Sequence, residues 1–191
     1  MKQKIKDKRA AILKTTLELI TERGFHGTPM SMIADQSKVG AGTIYRYFKG
    51  KEHLINVLFR ELKEEMDRAI FENYQTDLPI KTQFELVWKN VWTYYIQHPK
   101  VFKFMEQYYY SPFIDDKTKT HRSQLHEPIT IFFEQLNASG KGRAFPIDVM
   151  YALTHGPIVS LAKFYLEDNV KFNEAIMKET IEPVWNSIAL E

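Results

Sequence analysis

The sequence predicts an all-α protein, and three observations support that class. Apolar residues recur every three to four positions through most of the 191-residue chain, which is the spacing of amphipathic helices. Glycine and proline interrupt these periodic segments at intervals typical of helix ends. Alternating strand patterns are scarce. We expect about nine helices, arranged as a small three-helix N-terminal domain and a larger helical domain.

Three helices are expected in the first 50 residues, at about residues 7–23, 29–37 and 41–48. Gly24 follows the first helix, where a glycine can adopt the left-handed conformation of a C-cap. Thr28 is expected to cap the second helix, with Pro29 at its first position, where a missing N–H costs nothing.

Six further helices are expected at about residues 51–73, 77–98, 99–110, 116–137, 146–167 and 173–190. Breaks at His98-Pro99, Ser111-Pro112 and Gly140-Lys141-Gly142 separate several of them. The expected domains are residues 1–50 and 51–191, joined by the long helix that starts near residue 51.

Composition excludes several protein classes. Hydrophobic residues make up 44% and charged residues 26%, which is enough for one sizeable core. No apolar run approaches the roughly 20 residues of a membrane span, and the basic N-terminus lacks the apolar segment of a secretory signal. The chain has no cysteine, which excludes disulfides and thiolate sites and is typical of a cytoplasmic protein.

Charge is distributed unevenly along the chain. The net charge is +2, but residues 1–60 contain twelve bases and five acids, which leaves −5 for residues 61–191. A basic segment joined to an acidic remainder indicates a polyanion-binding module attached to another domain. Charge alone does not identify nucleic acid as the partner, because short windows often drift by a few charges.

The second and third helices have the size and spacing of a helix-turn-helix. Their apolar residues can form a small shared core, consisting of Ile33, Ala34, Val39, Ile44 and Phe48. In this motif the second helix lies in the major groove and its N-terminal end meets base edges. The outward residues would then be Ala41, Gly42, Thr43, Arg46 and Tyr47.

The outward side chains have chemistry that suits a DNA duplex. Thr43 can bond to a phosphate or a base edge, or place its methyl group against thymine. Tyr45 and Tyr47 offer hydroxyls to phosphate oxygens, and Arg46 can reach phosphate or guanine. Lys51 adds a positive charge at a helix N-terminus, which already favours phosphate.

Some of these residues have a structural alternative. Tyr45 and Phe48 can be ordinary core aromatics, and Lys51 can be a solvated lysine in a first helical turn. Ala41 and Gly42 are small enough to let the helix approach the groove closely.

A long, ordered motif in this region resembles the TetR family of bacterial repressors. It consists of Arg23-Gly24-Phe25, Ile33-Ala34, the run from Val39 to Phe48, and Lys51-Glu52-His53-Leu54. The resemblance covers about residues 8–58, and beyond them only the number and lengths of the helices are similar. It implies a three-helix DNA-binding domain, a fourth connecting helix, and a larger helical domain that dimerises and binds an effector.

The resemblance also implies which residues contact DNA. The family's contacts map onto Ser31, Ala41, Gly42, Thr43, Tyr45, Tyr47 and Lys51. The family usually has threonine where this chain has Pro29 and Met30, so a phosphate contact is not carried over there. It often has glycine at the position of Lys38 and serine at that of Gly40, and the operator sequence is expected to differ accordingly.

Residues 74–191 carry an unusual density of aromatic residues, twelve of them between Trp88 and Phe133. Helically spaced aromatics usually form a core, but so many rings with polar tips are hard to pack without a gap. A ring-lined gap with a few polar groups is the usual form of a small-molecule site. We expect a mostly apolar or aromatic effector, contacted by Trp88, Trp92, Tyr95, Phe104, Tyr108 and His155.

The segment His155-Gly156-Pro157 leaves two alternatives open. The proline removes a hydrogen bond inside the eighth helix and bends it. The bend can shape the effector pocket, or it can fit the helix to a dimer interface.

Charged ligands and metals are not favoured. Three acidic residues, Glu85, Glu106 and Glu134, could attract a cationic ligand, but acids on helices more often form solvated faces. His121 and His126 are five positions apart, which is not the i, i+4 spacing of a helical metal-ligand pair. We therefore expect neither a metal nor a cofactor.

The last two helices carry the residues expected at a subunit interface. Their apolar positions are Val149, Leu153, Val159, Leu161 and Phe164, and then Ile176, Ile181, Val184, Trp185 and Ile188. The resemblance implies that these helices pair across a two-fold axis as a four-helix bundle. A symmetric dimer also explains how a palindromic operator would be bound.

The sequence therefore favours a dimeric, DNA-binding transcriptional repressor that an effector releases from a palindromic operator. An enzyme is not expected, because the chain has no nucleophile elbow, no phosphate-binding glycine loop and no paired-histidine metal motif. The alternative is a helical interaction protein that has lost DNA binding.

Overall fold

A computed structural model describes residues 2–109, 111–116, 118, 127–167 and 171–190, apart from the side chains of residues 2–6, 127 and 174. Nine helices lie in this part of the chain: α1 Lys2–Arg23, α2 Met30–Gln36, α3 Ala41–Tyr47, α4 Lys51–Ile70, α5 Ile80–Gln97, α6 Pro99–Tyr109, α7 Glu127–Ala138, α8 Ile147–Leu166 and α9 Glu174–Ile188. The predicted all-α class is confirmed. Over the same residues, no helix has the length and apolar character needed to cross a membrane.

The helices group into two compact units. Unit 1 takes the described residues within 1–65 and 98–122, and unit 2 takes those within 66–97 and 123–191. The chain thus passes from unit 1 into unit 2 within α4, and it returns to unit 1 for α6. The expected domain boundary at residue 50 remains a prediction about domain organisation, because packing alone does not show which segments fold independently.

Unit 1 is built around one apolar core. Helix α1 packs against α2, α3 and α6, and α2 packs against α3. All five residues expected to form the core of the helix-turn-helix are buried: Ile33, Ala34, Val39, Ile44 and Phe48. The same core includes Leu54, Ile55, Leu58 and Phe59 from α4 and Phe104 and Tyr108 from α6. The inner faces of α2 and α3 are therefore fixed by packing.

Backbone geometry explains how α1 ends and α2 begins. Gly24 has φ of 70° and its N–H donates to the carbonyl of Ile20 at 2.8 Å, which confirms the predicted left-handed cap. The predicted cap at Thr28 is wrong, because α2 begins at Met30 with Pro29 as its cap residue. The buried Thr28 hydroxyl instead donates to the carbonyl of Gly24 at 2.9 Å, so it is already used within the preceding turn.

Unit 2 packs α5 against α8 and α9, and α7 and α9 against α8. Buried aromatic side chains dominate its interior, namely Phe84, Trp88, Trp92, Tyr94, Tyr95, Phe132, Phe133 and Trp185. An isolated antiparallel bridge joins Gly142, between α7 and α8, to Ala189 after α9. The end of the described chain is thereby attached to the α7–α8 connection.

Candidate nucleic-acid interface and ligand cavity

Helix α3 exposes most of its surface. Ile44 is its one buried residue, Thr43 and Tyr47 are half-buried, and the remaining four residues are exposed. The Tyr45 side chain is 58% exposed, whereas Phe48 is buried. Phe48 is therefore a core aromatic, whereas Tyr45 is a surface residue.

The start of α3 is sterically open. Gly40 is its N-cap residue, and no side chain caps the helix there. A Cβ atom placed on Gly40 or Gly42 would meet no atom within 4 Å. This surface can therefore approach a flat or grooved partner as closely as the backbone allows.

Other expected contact residues lie on the flanks of α3. Ser31 on α2 is exposed, as are the bases Lys38, Arg46 and Lys49. Two exposed acids, Asp35 and Glu52, lie in the same stretch. Part of the positive charge predicted from the sequence therefore reaches the surface within the helix-turn-helix.

Lys51 has a contact that the sequence did not indicate. Its ammonium group donates a hydrogen bond to the carbonyl of Phe25, and burial lowers the pKa of this lysine. The bond ties the first turn of α4 to the loop after α1. An ammonium group has three donors, so one can bind this carbonyl while another binds phosphate. The role of Lys51 in DNA binding stays a prediction.

A buried asparagine fixes α4 to the segment after α6. The Asn56 side chain is 1% exposed, and its Nδ2 donates to the carbonyls of Glu52 at 2.8 Å and Phe113 at 2.6 Å. Its Oδ1 accepts from the Tyr108 hydroxyl at 2.5 Å and from the Asp115 N–H at 3.0 Å. The four bonds satisfy both donors and both acceptor sites of the amide.

Asp115 extends this network through its carboxylate. Its pKa is pushed up by burial, but hydrogen bonds from Thr118 and the positive charges of Arg60 and His53 outweigh that effect and lower it. Arg60 also donates to the Thr118 hydroxyl at 2.5 Å. These groups join the middle of α4 to the segment that follows α6.

The six residues expected to contact an effector fall into both units. Phe104 and Tyr108 belong to the core of unit 1, where their rings stack at 5.8 Å between centroids. The Tyr108 hydroxyl is used by Asn56. Neither residue lines the cavity described below, so neither is kept in the ligand site.

The other four expected residues lie in unit 2. Trp92 packs its ring against Phe172 and Tyr165, at 4.1 and 5.5 Å between centroids, and it is not a lining residue of the cavity. Tyr95 is buried, and its hydroxyl lies 3.4 Å from Nε2 of His155. Trp88 and His155 both line the cavity.

The cavity lies among α5, α7, α8 and the segment after α4, and it encloses about 50 Å³. Thirteen of the residues that the structure describes line it: Phe71, Tyr74, Phe84, Val87, Trp88, Val91, Ile129, Phe132, Phe133, Tyr151, Thr154, His155 and Ile158. None of these side chains is a carboxylate, a lysine or an arginine. The wall is therefore mostly aromatic and aliphatic, as expected from the sequence pattern of this region.

Three polar groups in the wall are bonded to the protein. The indole N–H of Trp88 donates to the carbonyl of Thr154 at 3.1 Å, and the Thr154 hydroxyl donates to the carbonyl of Met150 at 2.9 Å. The Tyr74 hydroxyl donates to Oε1 of Gln83 at 2.6 Å, and burial raises its pKa. Tyr151 and His155 also contribute polar atoms to the wall, and their rings stack at 4.8 Å between centroids.

The acidic residues considered from the sequence lie away from this cavity. Glu85 borders a separate groove between α5 and α9, Glu134 is exposed on α7, and Glu106 lies on α6 in unit 1. His121 and His126 are outside the described residues. Within the described residues, no group of three metal-ligating side chains comes together.

Helix α8 has an exposed face as well as a cavity face. Val149, Gly156, Ser160 and Phe164 are all exposed, and most of them recur at a spacing of four residues. Phe164 is 52% and Val149 41% exposed. Such a stripe of apolar and small residues on one side of a helix permits close packing of another helix.

Two family models match the chain. Residues 12–58 match the model described as "Bacterial regulatory proteins, tetR family", and residues 79–189 match one described as "Tetracyclin repressor-like, C-terminal domain". The second match alone spans more than half of the chain. Between them, the matches include the helix-turn-helix and most of the residues of unit 2.

Similar proteins extend over nearly the whole chain. An HTH-type transcriptional regulator of Haemophilus influenzae is 23% identical over 98% of this chain and 99% of its own length. The crystal structure of a tetR family transcription regulator from Shewanella sp. PV-4 has 27% identity and a TM-score of 0.87, covering 96% of this chain and 99% of its own. The crystal structure of the transcriptional regulator FadR from Bacillus subtilis, in complex with stearoyl-CoA, has 18% identity and a TM-score of 0.72. It covers 92% of this chain and 96% of its own. At 18% identity, the FadR likeness shows the fold alone.

Proposed function

The chain belongs to the TetR family of bacterial transcriptional regulators, and we propose that it is a dimeric repressor that a small, mostly apolar ligand releases from a palindromic operator. The observation that carries this proposal is the exposed surface of α3, which is sterically open and backed by a buried apolar core. Exposed side chains on a well-packed helix support recognition of a partner more than they support the stability of the unit.

We assign the contacts to DNA by the chemistry and exposure of each residue. Ala41, Gly42 and Thr43, at the start of α3, would meet base edges. Tyr45, Tyr47, Ser31 and Lys51 would contact the phosphate backbone, and Arg46 would reach either the backbone or a guanine. Phosphate contacts fix the position of the helix, and base contacts supply the sequence preference.

The dimer that we propose forms through α8 and α9. The exposed stripe on α8 supports it, because an apolar surface of this kind is usually covered by a partner. A two-fold dimer would place two recognition helices about one DNA turn apart, or a multiple of it, and so match a palindrome.

The ligand that we propose binds in the cavity of unit 2. Trp88 and His155 would contact it directly, and Tyr95 would act through its contact with His155. The FadR complex with stearoyl-CoA supports the idea that this fold can respond to a ligand with a long apolar chain. A ligand that binds more tightly to the conformation that cannot bind DNA would lower operator affinity. The coupling free energy between two such sites is typically about 1–3 kcal/mol.

A fluorescence anisotropy titration tests the DNA-binding step. The full chain is titrated with labelled DNA from upstream of its own gene, with unrelated DNA as the comparison. We expect sequence-specific binding that weakens steeply between about 50 and 200 mM salt, because counterions are released from the phosphates. No specific, salt-sensitive binding to this or any other genomic fragment would refute the proposal.

Variants of exposed residues connect the binding to α3. Tyr45→Ala and Arg46→Ala are each expected to lower operator affinity about tenfold or more without unfolding the protein. Lys103→Ala, on α6, removes one positive charge from another exposed position and is the matched control for Arg46→Ala. Unchanged affinity in these variants and in Tyr47→Ala and Lys51→Ala would favour a helical interaction protein that has lost DNA binding.

A further inference from the structure

Part of the cavity wall in unit 2 lies outside the helices, and this part suggests how a ligand enters. It belongs to the segment between α4 and α5, residues 71–78, which contributes Phe71 and Tyr74 to the lining. We propose that this entry segment moves away from α5 to admit the ligand, and that the hydrogen bond between Tyr74 and Gln83 holds it closed. The inference rests on the proposed function, because it concerns access to the ligand site proposed there.

The size of the cavity requires the wall to move before a ligand can bind. The cavity encloses about 50 Å³, roughly a third of the 150 Å³ apolar cavity that admits benzene in another protein. Even a single ring is therefore too large for the cavity in this conformation. Some of the lining must be displaced, and the part that moves will be the one whose displacement breaks the fewest stabilising contacts.

The entry segment is held differently from the helical parts of the wall. Of the lining residues that the structure describes, the other eleven lie in α5, α7 and α8, where the backbone is bonded along each helix. Three backbone N–H groups of the entry segment instead bond within short turns, from Phe71 to Asp67, from Glu72 to Ala69 and from Tyr74 to Phe71. These three bonds do not cross to α5, so they can persist when the segment moves.

The side chain of Gln83, on α5, supplies bonds that must break when the segment moves. Its Oε1 accepts a hydrogen bond from the Tyr74 hydroxyl at 2.6 Å. Its Nε2 donates to the carbonyls of Thr76 at 3.1 Å and Leu78 at 2.7 Å. Gln83 is buried, and it bonds three residues of the entry segment. It is therefore the main attachment between this segment and α5.

The outer side of the entry segment is open to solvent. Residues 72, 73, 75, 76 and 77 are exposed, and Phe71 and Tyr74 are half-buried, with their rings edge to face at 5.5 Å between centroids. Asn90, also on α5, adds a longer bond to the carbonyl of Glu72 at 3.3 Å. Because Phe71 and Tyr74 both line the cavity and are partly exposed, their displacement would open the cavity to solvent.

Chemical labelling of an introduced cysteine tests the proposal, because the full chain has no cysteine of its own. Val91→Cys places a thiol in the cavity wall, where the replaced side chain is 8% exposed. Ala162→Cys places one at a fully buried position of α8 outside the lining. The probe is iodoacetamide, a small molecule that must itself reach the thiol, and mass spectrometry follows the reaction. We expect Val91→Cys to react at least about tenfold faster, since local opening costs less free energy than unfolding of the whole unit.

A second change shows whether the entry segment controls that rate. Tyr74→Phe removes the hydroxyl that bonds to Gln83 and keeps the ring. In the Val91→Cys chain it should raise the labelling rate about fivefold, because loss of one net hydrogen bond makes the open state more populated. Tyr165→Phe, at a half-buried tyrosine of α8 outside the lining, is the matched control and should leave the rate unchanged. Circular dichroism checks that each variant is folded.

Two outcomes would overturn the proposal. Labelling of Val91→Cys as slow as that of Ala162→Cys would mean that the cavity opens only when the whole unit unfolds. An unchanged rate in folded Tyr74→Phe, or an equal increase in Tyr165→Phe, would mean that the bond to Gln83 does not hold the cavity closed.

These outcomes are separate from those of the proposed function. A chain that binds its operator specifically but gives either overturning result would lose the entry assignment alone. A chain whose labelling follows the expectation but which binds no DNA would lose the repressor assignment alone.

Discussion

At the scale of single residues, Lys38 has a backbone conformation that its side chain disfavours. Its φ is 54°, in the left-handed region, where a Cβ atom crowds the backbone. The turn requires this conformation, because the next residue, Val39, donates to the carbonyl of Ala34 at 3.0 Å and is buried in the core. The glycine that resembling sequences often carry at this position would adopt the same conformation without that crowding.

Replacing Lys38 with glycine is therefore expected to raise the free energy of unfolding by about 0.5–1 kcal/mol. The relief of left-handed strain exceeds the extra entropy that glycine gives the unfolded chain. Urea unfolding followed by circular dichroism measures the change. Lys14→Gly, at an exposed position within α1, should instead lower the free energy by about 1 kcal/mol. A loss of stability in both variants would contradict the strain argument.

Single residues also show which local contacts can be predicted from the sequence. The cap at Gly24 was predictable because it depends on one residue and the helix just before it. The role of Thr28 was not, because its hydroxyl could bond forward to α2 or backward to Gly24, and the loop conformation decides between them. The contact of Lys51 with Phe25 was not predictable either, since it joins residues 26 positions apart.

At the scale of helices, α4 is held by the buried amide of Asn56. The sequence around it, Leu54-Ile55-Asn56-Val57-Leu58, is apolar apart from this residue. A polar side chain within an apolar run is the signal that the sequence offers, but it does not identify the partners, which are distant in sequence. Helix α4 follows the helix-turn-helix directly and shares its core, so α4 helps to hold the proposed DNA-binding surface in position.

Loss of the Asn56 amide should destabilise the protein strongly. Asn56→Ala leaves the Tyr108 hydroxyl, the Asp115 N–H and the Phe113 carbonyl without this partner, and we expect a loss of about 2–4 kcal/mol in the free energy of unfolding. Asn90→Ala, which removes bonds to the carbonyls of Ile70 and Glu72 at a half-buried position, should cost only about 1 kcal/mol. Urea unfolding of the two variants measures the difference. Equal losses in the free energy of unfolding of the two variants would mean that burial of the Asn56 network does not increase its contribution to stability.

Helix positions were easier to predict than helix partners. Periodicity and the proline and glycine breaks predicted helices that overlap all nine in the described residues. The same signals could not place Phe104 and Tyr108, because aromatic density does not show which helices pack together. Their place in unit 1 depends on the packing of α6 against α1, whose residues lie far apart in the chain.

At the scale of the whole molecule, α8 connects two surfaces that the proposed function treats separately. Tyr151, His155 and Ile158 line the cavity, while Gly156 and Phe164 belong to the exposed stripe. The sequence left open whether the bend at Pro157 serves a pocket or an interface. In the structure the turn before this proline has His155 at the cavity and Gly156 at the surface. A change in this turn on ligand binding would thus alter the stripe through which we propose that two chains pair.

The stripe on α8 gives the last prediction, which concerns assembly. Phe164→Glu and Val149→Glu would each bury a carboxylate in an apolar interface, and dehydrating that charge costs more free energy than the replaced apolar side chain contributed. In light scattering coupled to size-exclusion chromatography, we expect the unmodified chain at twice the mass of one chain and both variants at the mass of one. Operator affinity should be lower in variants that have lost the dimer, because a single chain contacts only one half-site of the operator.

A matched change on another helix separates the interface from a general effect of added charge. Ile131→Glu makes the same kind of change at an exposed position on α7 and should leave the dimer intact. A single-chain mass for the unmodified protein, or a dimer that survives both α8 changes, would contradict pairing through this helix. The ligand would then have to act on DNA binding without any change in pairing.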